Sequence, residues 1–352
     1  MHFASDNTSG AAPAVMAALT EANGGNASGY GNDPWSKRAQ ARLNDIFERD
    51  VESLFVTTGT AANALALALY AKPGGMVLCH EDSHIRVDEC GAPELLSGGL
   101  RLLTFPGYAG KLTPGPLKEA LDIYFVRGVH TGRPVVLSLT NLNEYGQTYS
   151  IEEVKALSDL AHAYGMSVHM DGARFANAVV ATGASPAELT WKAGVDILTL
   201  GGTKNGCWCA EAIVVFDPDT AEDLPYLRKR AGHLVSKGRF LGAQMDAYLA
   251  DDLWLNLAQQ SNTAAKRLAD GLRSSNQARL LLEPNGNELF VALPKQVDEA
   301  VRAAGGIYYP WEGFSFEEAS LPSDDECMVR LVTSFDTTDD HVDDFLKAIQ
   351  AA

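Results

Sequence analysis

The chain has 352 residues, 46% hydrophobic and 21% charged, proportions that suit a globular protein with room for one large and one small domain. Its 28 basic residues against 45 acidic ones leave a net charge of −17, which argues against a nucleic-acid surface, where a basic footprint is needed. No apolar run approaches the roughly 20 residues of a membrane-spanning helix. The opening Met1-His-Phe-Ala-Ser-Asp-Asn lacks the basic and apolar regions of a secretory signal, so a cytoplasmic location is expected.

In chain order, the first strand candidate is Ser53–Val56, followed by a Gly-Thr turn and a helical stretch over Thr60–Ala71. Strand candidates follow at Met76–Cys79, Arg101–Phe105, Val135–Leu139, Ser167–Met170, Asp196–Leu200 and Ala212–Phe216, with helical stretches at Pro116–Phe125 and Ile151–Tyr164 among them. Ser150 and Glu153 have capping-box spacing at the start of the latter, and Gly165 stops it. Strands alternating with helices imply βαβ units and a mainly parallel sheet. Val-Val-Leu-Ser-Leu and Asp-Ile-Leu-Thr-Leu are apolar without alternation, as strands covered on both faces should be.

After about residue 240 the pattern changes. A long helical stretch, Leu241–Leu272, precedes strand candidates Glu288–Leu293 and Met328–Val332, a helix-like Gln296–Ala303 and a final helix from Thr338. The expected architecture is α/β: a large domain over residues 1–240 with a mainly parallel seven-stranded sheet between helices, and a smaller α+β domain over residues 241–352. The long helical stretch bridges the two, and the N-terminal segment is expected to pack on the smaller one.

Two residues carry the chemistry. Lys204 lies in Asp196-Ile-Leu-Thr-Leu-Gly-Gly-Thr-Lys-Asn-Gly, at the mouth of a strand, where a Schiff-base lysine is suited. Asp171 lies in Val168-His-Met-Asp-Gly-Ala-Arg, also directly after an apolar strand. An aspartate on the pyridine nitrogen and a lysine on the aldehyde are the two contacts that make pyridoxal phosphate an electron sink. Thr58, Gly59 and Thr60, between a strand and a helix start, suit its phosphate, because backbone N–H groups there are free; a plain N-cap turn is the alternative. His84 suits ring stacking or acid–base work, or is a surface loop histidine. Arg174 suits a substrate carboxylate or the cofactor's phenolic oxygen, or a local ion pair. Arg330, in an apolar strand, needs an anion, either a substrate carboxylate or an internal Asp or Glu.

Cysteines at 79, 90, 207, 209 and 327 lack metal spacing and read as reduced thiols. His80 and His84 are four apart but follow a strand, so no metal site is expected.

Together these motifs resemble the threonine aldolases, a family of fold type I pyridoxal-phosphate enzymes, over almost the whole chain. Phe3-Ala-Ser-Asp, Tyr30-Gly-Asn-Asp-Pro, Thr57-Thr-Gly-Thr-Ala-Ala-Asn, Ser83-His-Ile with Glu89, His169-Met-Asp-Gly-Ala-Arg and Val329-Arg-Leu-Val-Thr are each similar to a family motif. The lysine context, Thr203-Lys204-Asn-Gly-Cys-Trp-Cys-Ala-Glu, resembles the branch of low-specificity L-threonine aldolases and phenylserine aldolase. The resemblance implies a Schiff base on Lys204, Asp171 on the pyridine nitrogen, phosphate on Gly59 and Thr60, and His84 on the ring face. It implies that Arg174 and Arg330, helped by Ser5, hold the substrate carboxylate, and that Tyr30 reaches a neighbouring subunit's site. His130 is expected near the substrate's β-hydroxyl, and Arg239, with Lys237, is the candidate for a second phosphate contact.

The expected reaction is retro-aldol cleavage of an L-3-hydroxy-α-amino acid (threonine, allo-threonine or phenylserine) to glycine and an aldehyde. The base for the β-hydroxyl is His84 or His130. The alternatives are a β-eliminating lyase or an aminotransferase of the same fold type. The expected assembly is a homotetramer, a dimer of dimers with sites at subunit interfaces.

Overall fold

The computed structural model describes residues 1–312, 315, 316, 318 and 321–352. Its larger sheet has seven strands: β1 (Glu52–Val56), β2 (Gly75–His80), β3 (Arg101–Phe105), β4 (Arg133–Thr140), β5 (Ser167–Gly172), β6 (Ile197–Gly201) and β7 (Glu211–Val215). Their order is β1-β7-β6-β5-β4-β2-β3. β3, β2, β4, β5 and β6 pair in parallel, whereas β7 is antiparallel to both β6 and β1. β1 therefore points the same way as β6. The carboxyl ends of β1, β2, β4, β5 and β6 share one edge, where ligands of open α/β sheets bind. The α/β fold with a mainly parallel seven-stranded sheet is the one the sequence predicts. Every residue of β6 and β7 is buried, which is why these strands are mostly apolar without alternation.

The helix Ile151–Ala163 begins at the capping box of Ser150 and Glu153. The helix Gly59–Leu69 begins at Thr58, whose hydroxyl accepts from the Ala61 amide. Ala61 through Ala68 are all buried, so this helix lies inside the molecule with its first turn at the carboxyl edge of the sheet.

A second, antiparallel sheet comprises β8 (Arg279–Leu280), β9 (Glu288–Pro294), β10 (Tyr309–Pro310) and β11 (Glu326–Val332), in the order β10-β11-β9-β8. β9 and β11 coincide with strand candidates in the sequence. β8 and β10, at two residues each, are too short to show any period.

The stretch expected as one helix over Leu241–Leu272 is two, Arg239–Leu249 and Leu253–Arg273. The break falls at Asp251 and Asp252, whose φ angles are 49° and 55°. Aspartate tolerates this left-handed conformation better than most residues, but nothing in the apolar spacing announces it. In Leu253–Arg273 the buried residues recur at helical spacing. Trp254, Leu257 and Ala258 enter the core under the large sheet, while Ala265, Leu268, Ala269 and Leu272 enter the core under the small one. One amphipathic face thus joins both cores.

The N-terminal segment belongs to the second core. Phe3 is fully buried there and meets Phe345 edge-on at 5.1 Å. Its amide donates to the Ile307 carbonyl at 2.8 Å, and its carbonyl accepts from the Val332 amide at 2.9 Å. The next residues are thereby carried toward the large sheet. Among the described residues, no helix is long and apolar enough to cross a membrane.

Candidate active site

A cavity of about 270 Å³ opens at the carboxyl edge of the large sheet. It gathers Thr57, Thr58, Gly59 and Thr60 after β1, His84 after β2, Thr140 and Glu144 at and after β4, Asp171 and Arg174 at and after β5, and Lys204 after β6. Lys204 sits in the short 3-10 turn Thr203–Asn205. β5 and β6 are neighbours, with Asp171 opposite Thr199 and Gly172 opposite Leu200. Asp171 and Lys204 therefore reach the cavity from adjacent strand ends. A second cavity of about 290 Å³, by Asn262, Lys266 and Arg273, has no such convergence, and both of its cations pair with Asp270.

Asp171 is 3% exposed. Its Oδ2 accepts from the Asn63 side-chain amide at 2.8 Å and its Oδ1 from the Ala173 backbone amide at 2.9 Å. The same Asn63 nitrogen donates to Glu89 Oε1 at 2.8 Å, and its oxygen accepts from Thr199 at 2.7 Å. Asn63 thus ties the helix after the Thr58 turn to two carboxylates and to β6. Glu89 Oε1 also holds His84 Nδ1 at 2.9 Å. That hydrogen bond raises the His84 pKa above its ordinary 6.5, against the effect of burial and with help from the Asp171 charge. Burial pushes the Glu89 carboxyl up, although its bonds to His84 and Asn63 act the other way.

Arg174 is buried and donates to Asp6 through Nε at 2.7 Å and Nη2 at 3.0 Å. Its Nη1 lies 3.3 Å from Glu288, a buried carboxylate that also lies 3.7 Å from Arg330. Arg330 stands 4.7 Å from the centre of the Trp311 ring. The internal acid that Arg330 requires is thus Glu288, and it serves both arginines. Trp311 packs with Tyr145 and Phe290, as core aromatics do, and Tyr309 is exposed.

Five expected site residues do not line this cavity: Arg330, described above, and Ser5, Tyr30, Arg239 and His130. Ser5 caps the turn Asp6–Thr8, its hydroxyl accepting from the Asn7 amide, and its neighbour Asp6 is the residue that reaches Arg174. Tyr30 is exposed, with Lys229 5.8 Å from its ring. Arg239 Nη1 donates to the carbonyls of Ala22, Gly24 and Gly25, so it ties down the end of the helix Pro13–Ala22 instead of facing the Thr58 turn.

His130 is a correction. It is exposed on the turn Gly128–His130, just before β4 begins at Arg133. The eight residues of β4 put roughly 25 Å between that end and the edge where the cavity opens. The loop expected to carry it to the β-hydroxyl stands at the opposite edge of the sheet.

Sequence reasoning gave no role to Glu144, Glu211, Asp6 or Glu288. Glu144 Oε1 accepts from the His84 backbone amide at 2.8 Å and from the Thr140 hydroxyl at 3.0 Å. Burial, then the Asp171 charge, pushes its pKa up to about 7. Glu211 accepts from the Gly202 amide at 2.8 Å, and burial likewise pushes it to about 7, with the Lys204 charge opposing. A carboxylate just past the carboxyl end of an apolar strand was the available signal for Glu144, and it is the signal that Asp171 carries.

A family model described as beta-eliminating lyase matches residues 2–293. The chain is 44% identical to a low specificity L-threonine aldolase of Pseudomonas aeruginosa over 312 residues, 88% of this chain and 89% of that one. It is 42% identical to another from a Pseudomonas species over the same shares. The solved threonine aldolase of Leishmania major superimposes with a TM-score of 0.92 at 26% identity, covering 99% of this chain and 98% of that one.

Proposed function

The chain belongs to the beta-eliminating lyase family, and on that premise we propose that it is a pyridoxal-phosphate-dependent carbon–carbon lyase. It cleaves L-threonine, L-allo-threonine or phenylserine-type 3-hydroxy amino acids to glycine and an aldehyde. The observation that carries this reading is the approach of Asp171 and Lys204 to one cavity from adjacent strand ends, with the start of a buried helix beside them.

The residues present suit the cofactor. Asp171 is buried, held by two donors, and able to accept a further hydrogen bond from a pyridine N–H. A Cβ placed on Gly59 would meet nothing within 4 Å, so the cavity is open where the first helical turn presents its amides to a phosphate. Lys204 would supply the amine for the aldehyde, Thr58 and Thr60 would add hydroxyls at the phosphate, and His84 would face the ring. When bound, the cofactor supplies a sink for negative charge on the substrate's Cα.

The chain's own part is positioning. Arg174 and Arg330 hold the substrate carboxylate, and that grip decides which bond at Cα faces cleavage. Glu288 between them and Asp6 behind Arg174 keep both guanidinium groups in place before substrate arrives. Two of their charges are balanced internally, so the substrate carboxylate competes with Glu288 for Arg330, whose 3.7 Å separation is the looser of the pair.

The enzyme works in the cytoplasm as a homotetramer, with Tyr30 reaching a neighbouring subunit's site. Incubation with L-threonine or phenylserine tests the reading. Aldehyde and glycine should appear with no keto-acid acceptor present. Ammonia with a keto acid instead makes the protein a β-eliminating lyase, and product formation only on adding an acceptor makes it an aminotransferase.

A further inference from the structure

We propose that Glu144 is the base that takes the proton of the substrate's β-hydroxyl. This rests on the aldolase reading and names a residue for its proton step. With His130 at the far edge of its own sheet, the groups of this chain that can serve as the base are those that line the cavity.

Most of those groups are committed. Asp171 has both oxygens hydrogen-bonded. Glu211 is bound to the Gly202 amide on the strand side of Lys204. His84 holds Glu89 through Nδ1, a bond that favours its protonated form, Lys204 is assigned to the cofactor's aldehyde, and Arg174 is a cation. Glu144 differs: both of its bonds to other residues land on Oε1, leaving Oε2 unshared with another side chain among the described residues.

Its position is built rather than accidental. Glu144 stands between Asn143 and Tyr145, both buried. Asn143 Oδ1 accepts from the amides of Tyr145 and Gln147, and its Nδ2 donates to the Ala109 carbonyl at 2.9 Å. The Tyr145 hydroxyl donates to Asp82 at 2.7 Å. A loop fixed this closely carries a carboxylate to the cavity wall and holds it there. The titratable or charged groups around it are Asp171 from β5, Arg174, Cys79 from β2, Tyr149 and His84. Burial and the Asp171 charge place its own titration at about 7, where a group both accepts and returns a proton readily.

In the step, the O–H proton passes to Oε2 and the O–H electron pair becomes the second bond of the aldehyde carbonyl. The Cα–Cβ bond breaks, and its pair remains on the glycine fragment until a proton returns to Cα. Glu144 ends protonated and is reset by losing that proton.

The test compares wild type with Glu144→Gln and Glu144→Asp, each loaded with pyridoxal phosphate. Aldehyde release from L-threonine should fall by about 10²–10⁴-fold in Glu144→Gln and partly recover in Glu144→Asp. Exchange of glycine's α-proton for deuterium, read by NMR, needs no β-hydroxyl and should change by less than about threefold. In the cofactor-free protein, infrared difference spectra should show two carboxyls titrating near pH 7 in wild type, Glu144 and Glu211, and one fewer in Glu144→Gln. Threonine cleavage near the wild-type rate in Glu144→Gln overturns the assignment. So does loss of glycine exchange alongside cleavage, which marks a structural role, and so does a Glu144→Gln spectrum that loses no carboxyl near pH 7. A wild type that exchanges glycine's proton but cleaves no 3-hydroxy amino acid overturns the aldolase reading itself, and the role of Glu144 with it.

Discussion

Arg174 donates two hydrogen bonds to Asp6 across 168 residues of sequence, at 2.7 and 3.0 Å, with both side chains buried. Asp6 also accepts from Asn287 at 3.0 Å, and Asn287 donates to the Thr333 carbonyl at 2.8 Å. The N-terminal segment, the end of β5 and the small sheet therefore meet at one ion pair beside the cavity.

Breaking a buried pair from one side leaves a desolvated charge. Asp6→Asn should lower stability by about 3–5 kcal/mol and raise the KM for threonine, through loss of the fixed Arg174 orientation. Burial alone would raise the Asp6 pKa, but Arg174, with Lys204, holds it below the ordinary 3.8. A carboxyl depressed in the folded state stabilises fully above its unfolded pKa and loses that contribution as pH falls through its folded value. Urea unfolding followed below about pH 4 should therefore show a shallower acid dependence in Asp6→Asn than in wild type.

Gly59→Ala separates fold from cofactor. Gly59 has no left-handed φ, and its added methyl meets no protein atom within 4 Å. Cofactor-free protein should keep its melting temperature or gain about 0.4–1 kcal/mol. Cofactor affinity, measured by absorbance titration, should weaken by about tenfold, near 1.4 kcal/mol. An unchanged affinity would place the phosphate elsewhere.

The hydrogen bond from Glu89 is the largest cause of the raised His84 pKa. Glu89→Gln should lower that pKa toward or below 6.5, visible as a shifted imidazole resonance in an NMR pH titration of the cofactor-free protein. The protonated ring is then lost at lower pH than in wild type.

Phe3 is fully buried against Phe345. Phe3→Ala should cost about 3–5 kcal/mol in chemical denaturation. It should also reduce activity disproportionately at elevated temperature, because release of this segment frees Asp6 from Arg174.

Asp171, Lys204 and the Thr58 turn are legible in the sequence because each follows an apolar strand directly, and in a parallel sheet all such positions share one edge. His84 is legible for the same reason after β2. Glu144 has that placement too, but it sits four residues past Thr140 in a loop whose path depends on Asn143 and Tyr145, not on any period. The pairing of Asp6 with Arg174, and of Glu288 with both arginines, joins segments remote in sequence, and apolar spacing carries no information about such partners. The expectation for His130 rests on resemblance alone, and its position just before β4, at the opposite edge of the sheet from the cavity, does not meet it. The break at Asp251 and Asp252 hides between two stretches that each look helical.

The central claim, that Lys204 and Asp171 hold one pyridoxal ring between them, is tested most directly by borohydride reduction of the cofactor-loaded protein and peptide mapping. The account predicts a single pyridoxyl tag on Lys204, and its absence from Lys204→Ala. A tag on any other lysine of the wild type, or a fully coloured protein that yields no tagged peptide, contradicts it.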